Sequence, residues 1–386
     1  MQAGRRRTSN TRRSMQQRAS EPQTYIRCEW DRRCFGTMKS ESSQRAGFNR
    51  RTFVRGVGLL GAGLLADGGS IGAQGAQAST AGIPKRPFGR TGVEVSIMGI
   101  GGHTFAEAKD EAEGIRIIHE AMDAGINFMD NAYEYHDGRS EVWMGKALHD
   151  RRDKAFLMTK VCTHGRDGKV AMQQLEESLQ RLKTDHLDLW QVHEVIYEND
   201  PERHFAKGGV METVEKAKRD GKVRFVGFTG HKDPAIHLEM LSHGFPFDAV
   251  QIPVNCFDAS FRSFEKLVLP ELTRNGIAGI GMKSLGGNAA QVRQGIVTPQ
   301  EAIRYALSLP IATLVSGIDS IAILRQNLDI VRGFQPMPAS EMAALRQRVE
   351  RYASDGRYEL YKTSMEFDGP PGREQHGFPP KKQMPA

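Results

Sequence analysis

From about residue 95 the chain alternates short apolar runs with longer stretches in which apolar residues recur every three or four positions. A run of four to eight apolar residues bounded by turn formers reads as a buried strand, and the three-to-four spacing reads as an amphipathic helix. Strands are predicted at 95–101, 127–130, 155–160, 187–192, 223–229, 249–254, 277–282 and 313–316. Helices are predicted at 110–124, 140–149, 170–182, 210–219, 234–242, 263–274, 298–307 and 320–333. The third helix shows the pattern plainly, with Met172, Leu175, Leu179 and Leu182 on one face. The fifth opens with Pro234, a residue suited to the first turn. Strands alternating with helices imply a parallel sheet, and eight such units close on themselves. The expected class is α/β, a (β/α)8 TIM barrel forming a single domain over residues 79–366, with an extra helix at 339–352. Residues 367–386 are rich in Pro, Gly and charge and are expected to be irregular.

The first 78 residues differ in kind. They hold 14 Lys and Arg against 5 Asp and Glu, whereas the remainder holds 39 against 41. The overall charge of +7 therefore belongs to the leader and gives the barrel no nucleic-acid-binding character. Asn49-Arg50-Arg51-Thr52-Phe53-Val54-Arg55 precedes an apolar run of 11 residues, and Ala76-Gln77-Ala78 supplies a small-x-small site. This is the pattern of a twin-arginine export signal, with cleavage expected after Ala78 and translation expected to start at Met38. The apolar run is too short to cross a bilayer core of ~30 Å as a helix, so no membrane span is expected. The export machinery is the expected partner, and the periplasm or another exported location the expected destination. Cys162 and Cys256 remain after cleavage, too few for a disulfide framework.

Four side chains stand at predicted strand ends. Asp130 closes the second strand and Tyr135 follows it; Lys160 closes the third; His193 ends the fourth. The carboxyl ends of the strands share one mouth of such a barrel, where chemistry is placed. A Lys beside a Tyr is expected to lower the phenol's pKa and let it exchange a proton near neutrality, while Asp130 keeps the ammonium charged. The stretches Asp130-Asn131-Ala132-Tyr133-Glu134-Tyr135-His136-Asp137-Gly138-Arg139-Ser140-Glu141, Thr159-Lys160 and Leu187-Asp188-Leu189-Trp190-Gln191-Val192-His193 resemble the aldo-keto reductase family. The resemblance runs from about Phe88 to Phe334. It implies a hydride transfer between a nicotinamide cofactor and a carbonyl or alcohol, with Tyr135 as general acid/base, Lys160 and Asp130 tuning it, and His193 orienting the carbonyl.

Glycines and small hydroxyls at helix N-termini suit phosphate groups. They recur here in the late loops: Thr229 after the fifth strand, Lys283, Ser284 and Gly286 after the seventh, and Gly317 and Asp319 after the eighth. Gly101 and Gly102 end the first strand. The resemblance implies that these segments hold the dinucleotide, with Gln251 on its carboxamide and Gln326 and Asn327 near its adenosine end. In many members of the family this chain resembles, an Arg on the last helix grips the 2′-phosphate, in a Lys-Ser-x-Thr-Pro-x-Arg pattern. Gly317 and Ile323 stand at the Lys and Arg positions of that pattern, with Asp319 close by. NAD(H) is therefore favoured, with NADP(H) possible. His103, Tyr133, His136 and His231 are the candidate substrate contacts, suited to a hydroxyl-rich ligand such as a sugar. They lack a compact ligand pattern, so no metal is expected. Two other readings remain: a redox-neutral sugar hydrolase or epimerase that keeps its NAD, and a binding protein without turnover.

Overall fold

Eight strands, largely apolar and largely buried, form the centre of the molecule. The computed structural model describes residues 82–162 and 167–375, within a unit spanning Gln74–Ala386. The export signal and cleavage site expected at 1–78, and residues 376–386, lie outside the described residues. Two short strands come first, β1 (Lys85–Pro87) and β2 (Glu94–Ser96), paired antiparallel. The barrel strands follow: β3 (Met98–Gly101), β4 (Phe128–Asp130), β5 (Phe156–Val161), β6 (Leu187–Val192), β7 (Val223–Thr229), β8 (Ala249–Pro253), β9 (Ala278–Met282) and β10 (Thr313–Ser316). All pair in parallel, and β10 closes the ring against both β9 and β3. Helices alternate with them, as the apolar periodicity requires. The fold is the (β/α)8 barrel that the alternation predicts.

Three details depart from the sequence reading. The apolar run 95–101 is divided: Val95 pairs with Arg86 in the hairpin, and the barrel strand starts only at Met98. Ser96 makes the bend, donating its hydroxyl to Met98 O at 2.7 Å and its N–H to Asn127 Oδ1 at 2.7 Å. The hairpin seals one end of the barrel. Its turn inserts Phe88, fully buried, with its ring centroid 4.8 Å from that of Phe156; burial of such a ring contributes about 1.5–3 kcal/mol. Residues 263–274 form two helices, Phe264–Leu267 and Leu269–Arg274, because Pro270 cannot donate to the preceding turn.

The third departure concerns residues 367–375, expected to be irregular. They form an ordered strap ending in the helix Pro370–Gln375. Buried Asp368 explains why: Lys232 Nζ reaches it at 2.6 Å and the Tyr197 hydroxyl donates to it at 2.9 Å. Gly369 N–H donates to Glu194 Oε2 at 2.8 Å. Upstream, Lys362 lies fully buried between Asp258 at 2.6 Å and Glu359 at 2.9 Å. Asn255 donates to the Tyr361 hydroxyl at 2.9 Å. Composition marks Pro, Gly and charge as loop-forming, yet the charges here find buried partners on the loops after β6, β7 and β8.

Candidate active site

Strand register places the four strand-end residues. Gly101 pairs with Asp130, and Lys160 with Gln191 one residue pair before the end of β6. Gly102 follows β3, and a Cβ there would come within 2.5 Å of Asp130 O. The ends of β3 and β4 therefore need a glycine to approach each other, which gives Gly102 a packing reason independent of any ligand. Buried Lys160 places Nζ 2.7 Å from Asp130 Oδ2, 2.8 Å from Asn131 O and 3.3 Å from the Tyr135 hydroxyl. These three contacts match its three protons. The His193 ring stands edge-on to Tyr135, with centroids 5.7 Å apart.

The phenol's acidity differs from the sequence expectation. Burial and the charges of Asp130, Glu134 and Glu194 push the Tyr135 pKa well above its ordinary value. Lys160 does not reverse this, because Asp130 compensates its charge at contact distance. Tyr135 therefore rests protonated, able to give a proton rather than take one.

Two carboxylates escape the sequence reading. Glu134 Oε1 pairs with His193 Nδ1, fixing the ring that faces Tyr135. Glu194, in a left-handed backbone conformation at φ 55, turns toward the strap. Glu134 stands beside Tyr135 in the sequence, but nothing local pairs it with a residue 59 positions away.

The candidate substrate contacts separate. His103 lies edge-on to Tyr135 at 5.3 Å, and His136 Nε2 meets His103 O at 2.7 Å, so both stand at the rim. His231 is buried, its Nε2 has no hydrogen-bond partner among the described residues, and burial with Lys283 and Lys232 nearby keeps it neutral. Tyr133 does not belong with them. Its hydroxyl donates to Glu177 at 2.7 Å, and Arg181 covers its ring at 4.5 Å, so it serves the helix Gly168–Leu182.

Of the candidate cofactor contacts, Gln251 donates to Asp130 Oδ2 at 3.2 Å and leaves its own Oε1 buried without a partner. Asn131 Nδ2 is likewise unpartnered. Thr229 ends β7 and is buried beside Gln251, its register partner on β8. Lys283 adopts φ 57, and burial lowers its pKa to about 8. Its Nζ lies 5.1 Å from the Phe367 ring of the strap. Ser284 beside it is buried, and Gly286 takes φ 65 where a Cβ would meet Tyr358 O at 2.6 Å. Gly317 is exposed, and Asp319 accepts from Ser320 at 3.2 Å. Ser320 caps the helix Ile321–Val331, on which Asn327 donates to Ser316 Oγ at 3.0 Å and Gln326 is exposed. Gly101, in β3, faces the backbone of Ser316 across the β3–β10 pair.

This arrangement has relatives. The sequence matches the Aldo/keto reductase family over residues 97–295, just over half of the chain. It is 30% identical to the aldo-keto reductase YhdN of Bacillus subtilis over 209 residues, covering 50% of this chain and 60% of that protein. It is 31% identical to L-galactose dehydrogenase of Arabidopsis thaliana over 163 residues, covering 38% of this chain and 49% of that protein. The chain thus spans about half to three fifths of the length of these curated relatives. Among solved structures, the holo form of an aldo-keto reductase from Bacillus halodurans matches its fold with a TM-score of 0.58 at 23% identity, covering 72% of this chain and 99% of that one. With the barrel, the four strand-end residues and this match together, the chain belongs to the aldo/keto reductase family, a family of oxidoreductases.

Proposed function

We propose that this protein transfers a hydride between a nicotinamide cofactor and a carbonyl or alcohol carbon, with Tyr135 as the general acid/base. The observation that carries this is the buried chain Asp130–Lys160–Tyr135, 2.7 and 3.3 Å per link, with His193 beside the phenol. In the reducing direction the cofactor supplies the hydride when bound. As negative charge develops on the carbonyl oxygen, Tyr135 would pass its proton to that oxygen. The charge left on the phenolate lies within reach of the Lys160 ammonium, which stabilises it. His193, paired with Glu134 and beside the phenol, would orient the carbonyl oxygen.

The late loops fit a dinucleotide. The free Gln251 Oε1 and Asn131 Nδ2 suit the donor and acceptor of a carboxamide. Ser284, Lys283 and the Ser320-capped helix start suit phosphates. NAD(H) is the preferred form. Asp319 would repel a 2′-phosphate, and Ile323 packs as an apolar residue. Arg325, two residues further along the same helix, is held by Glu120 at 2.7 Å. The substrate is a hydroxyl-bearing carbonyl or alcohol of the sugar class. The His231 Nε2, without a hydrogen-bond partner among the described residues, and rim residues His103 and His136 support this, as does the likeness to a protein named for L-galactose. The leader directs the folded protein out of the cytoplasm through the twin-arginine machinery, so replacing Arg50 and Arg51 by Lys should retain the precursor inside.

The purified protein, examined by mass spectrometry and absorbance, is expected to carry or bind NAD(H) more tightly than NADP(H) and to oxidise or reduce members of a sugar panel. Failure to bind either nucleotide refutes the reading. Turnover that leaves bound NAD unchanged in redox state replaces it with the redox-neutral one.

A further inference from the structure

Three neighbouring strands each deliver one metal-ligating donor to a single spot. Glu134 lies in the loop after β4, Cys162 directly follows β5, and His193 directly follows β6. Val161 pairs with Val192, so Cys162 and His193 are the next step of the same ladder. Side chains alternate along a strand, which puts Cys162 on the face that Lys160 presents to the barrel mouth. One carboxylate oxygen, the thiol sulfur and one imidazole nitrogen all lie within 4.8 Å of one another. Cys162 is fully buried and His193 is 7% exposed. Glu134 Oε2 is buried without a hydrogen-bond partner among the described residues.

We propose that Glu134, Cys162 and His193 form a binding site for a divalent cation of the Zn2+ class beside the catalytic Tyr135. The donor set selects the ion. A thiolate, an imidazole and a carboxylate are the ligands Zn2+ takes, whereas Mg2+ and Ca2+ demand oxygen donors throughout. Side-chain rotation would bring the donors to roughly 2.0–2.3 Å from a common centre. On binding, Cys162 gives its proton to solvent and its sulfur lone pair to the metal. Three protein donors leave a fourth position for water. Because the ion takes His193 away from the substrate carbonyl, its binding shuts off the reductase. A second trio at the rim, His103, Glu107 and His136, is also within ligating distance. It contains no sulfur and is mostly exposed, which gives the test its discrimination.

The test is titration of the full chain, stripped with a chelator, with Co2+ alone. The expected result is a thiolate-to-cobalt charge-transfer band that saturates at one equivalent and is bleached by Zn2+. Cys162→Ser should lose the band with its circular dichroism unchanged. Glu134→Gln should keep the band but weaken cobalt affinity by at least the roughly 10–100-fold that loss of an outer-shell partner costs. Absence of the band in the native protein overturns the proposal. So does a band that survives in Cys162→Ser, which would place the sulfur elsewhere. Should Cys162→Ser fail to fold, unchanged cobalt affinity in Glu134→Gln overturns it. The readout is spectroscopic, so its failure would leave the hydride-transfer reading standing.

Discussion

Lys160→Met separates structural from catalytic roles in the buried chain. Met keeps the length and apolar stem of Lys but removes the ammonium. Asp130, 2% exposed, then loses its partner at 2.7 Å and keeps, among the described residues, the Gln251 amide at 3.2 Å. Breaking one side of a buried ion pair costs about 3–5 kcal/mol, because the remaining charge is left desolvated. That is a large share of the 5–15 kcal/mol typical of a folded domain. The second substitution, Asp130→Asn, removes the stranded charge and keeps an acceptor for Gln251. The double variant should therefore recover most of the loss, giving a coupling of about 2 kcal/mol or more. Chemical denaturation followed by circular dichroism measures all four corners of the cycle. Turnover should be absent from all three variants, since each removes the charge facing the phenol or the group that orients it. A single variant that loses less than about 1 kcal/mol, or a double variant as unstable as the sum of the singles, would refute the claim that this pair is a desolvated unit.

Tyr135→Phe removes the transferable proton while Lys160 keeps both Asp130 and Asn131 O, so turnover should fall by ~10²–10⁴-fold with a much smaller change in denaturation midpoint than Lys160→Met. Lys283, lowered to about 8, is charged below that pH and neutral above it, so nucleotide affinity measured by fluorescence quenching should weaken as pH rises through about 8. Lys283→Met should bind weakly at every pH and lose that step; an unchanged profile means that the amine does not face the nucleotide. His237, fully buried against Phe228 and Phe264, has its pKa lowered from 6.5 to about 3. Between those values the unfolded chain takes up a proton that the native state refuses, so stability is lost as pH falls through that window, by up to about 4–5 kcal/mol. His237→Phe should make the acid limb of a stability–pH curve shallower, and an identical limb would show that other groups set it.

The barrel was legible because its physics is local. A strand buried on both faces must be apolar throughout, and a helix packed on it must be apolar every three or four residues. The predicted limits at 187–192, 210–219, 223–229, 234–242 and 313–316 coincide with those observed. The sealing hairpin was not legible, since Lys85-Arg86-Pro87 shows no apolar alternation. Its order comes from distant contacts: Arg86 donates to Leu307 O at 2.7 Å and Ile311 O at 2.8 Å, and Arg90 to Asn275 O at 2.7 Å. The strap at 367–375 was missed for the same reason, its order resting on Lys232, Tyr197 and Glu194. The sequence shows that Tyr133 follows a strand but not that its side chain turns toward Glu177 and Arg181.

The candidate site divides along the same line between position and charge. Strand ends dictate that Asp130, Tyr135, Lys160 and His193 meet, and they do. The direction of the phenol's pKa shift is a sum over everything within reach, and that sum needs coordinates. Read alone, Lys160 beside Tyr135 lowers the pKa. In the folded chain Asp130 answers Lys160 at contact distance, so the phenol meets a nearly neutral pair. Burial and the additional charges of Glu134 and Glu194 then decide the sign, upward. Both carboxylates serve other neighbours, Glu134 the His193 imidazole and Glu194 the strap, and their effect on Tyr135 follows from those duties. Under the proposed reading, a site arranged in this way stores Tyr135 with its proton, the form that carbonyl reduction would consume, and leaves Lys160 to stabilise the charge that would appear only as the proton departs.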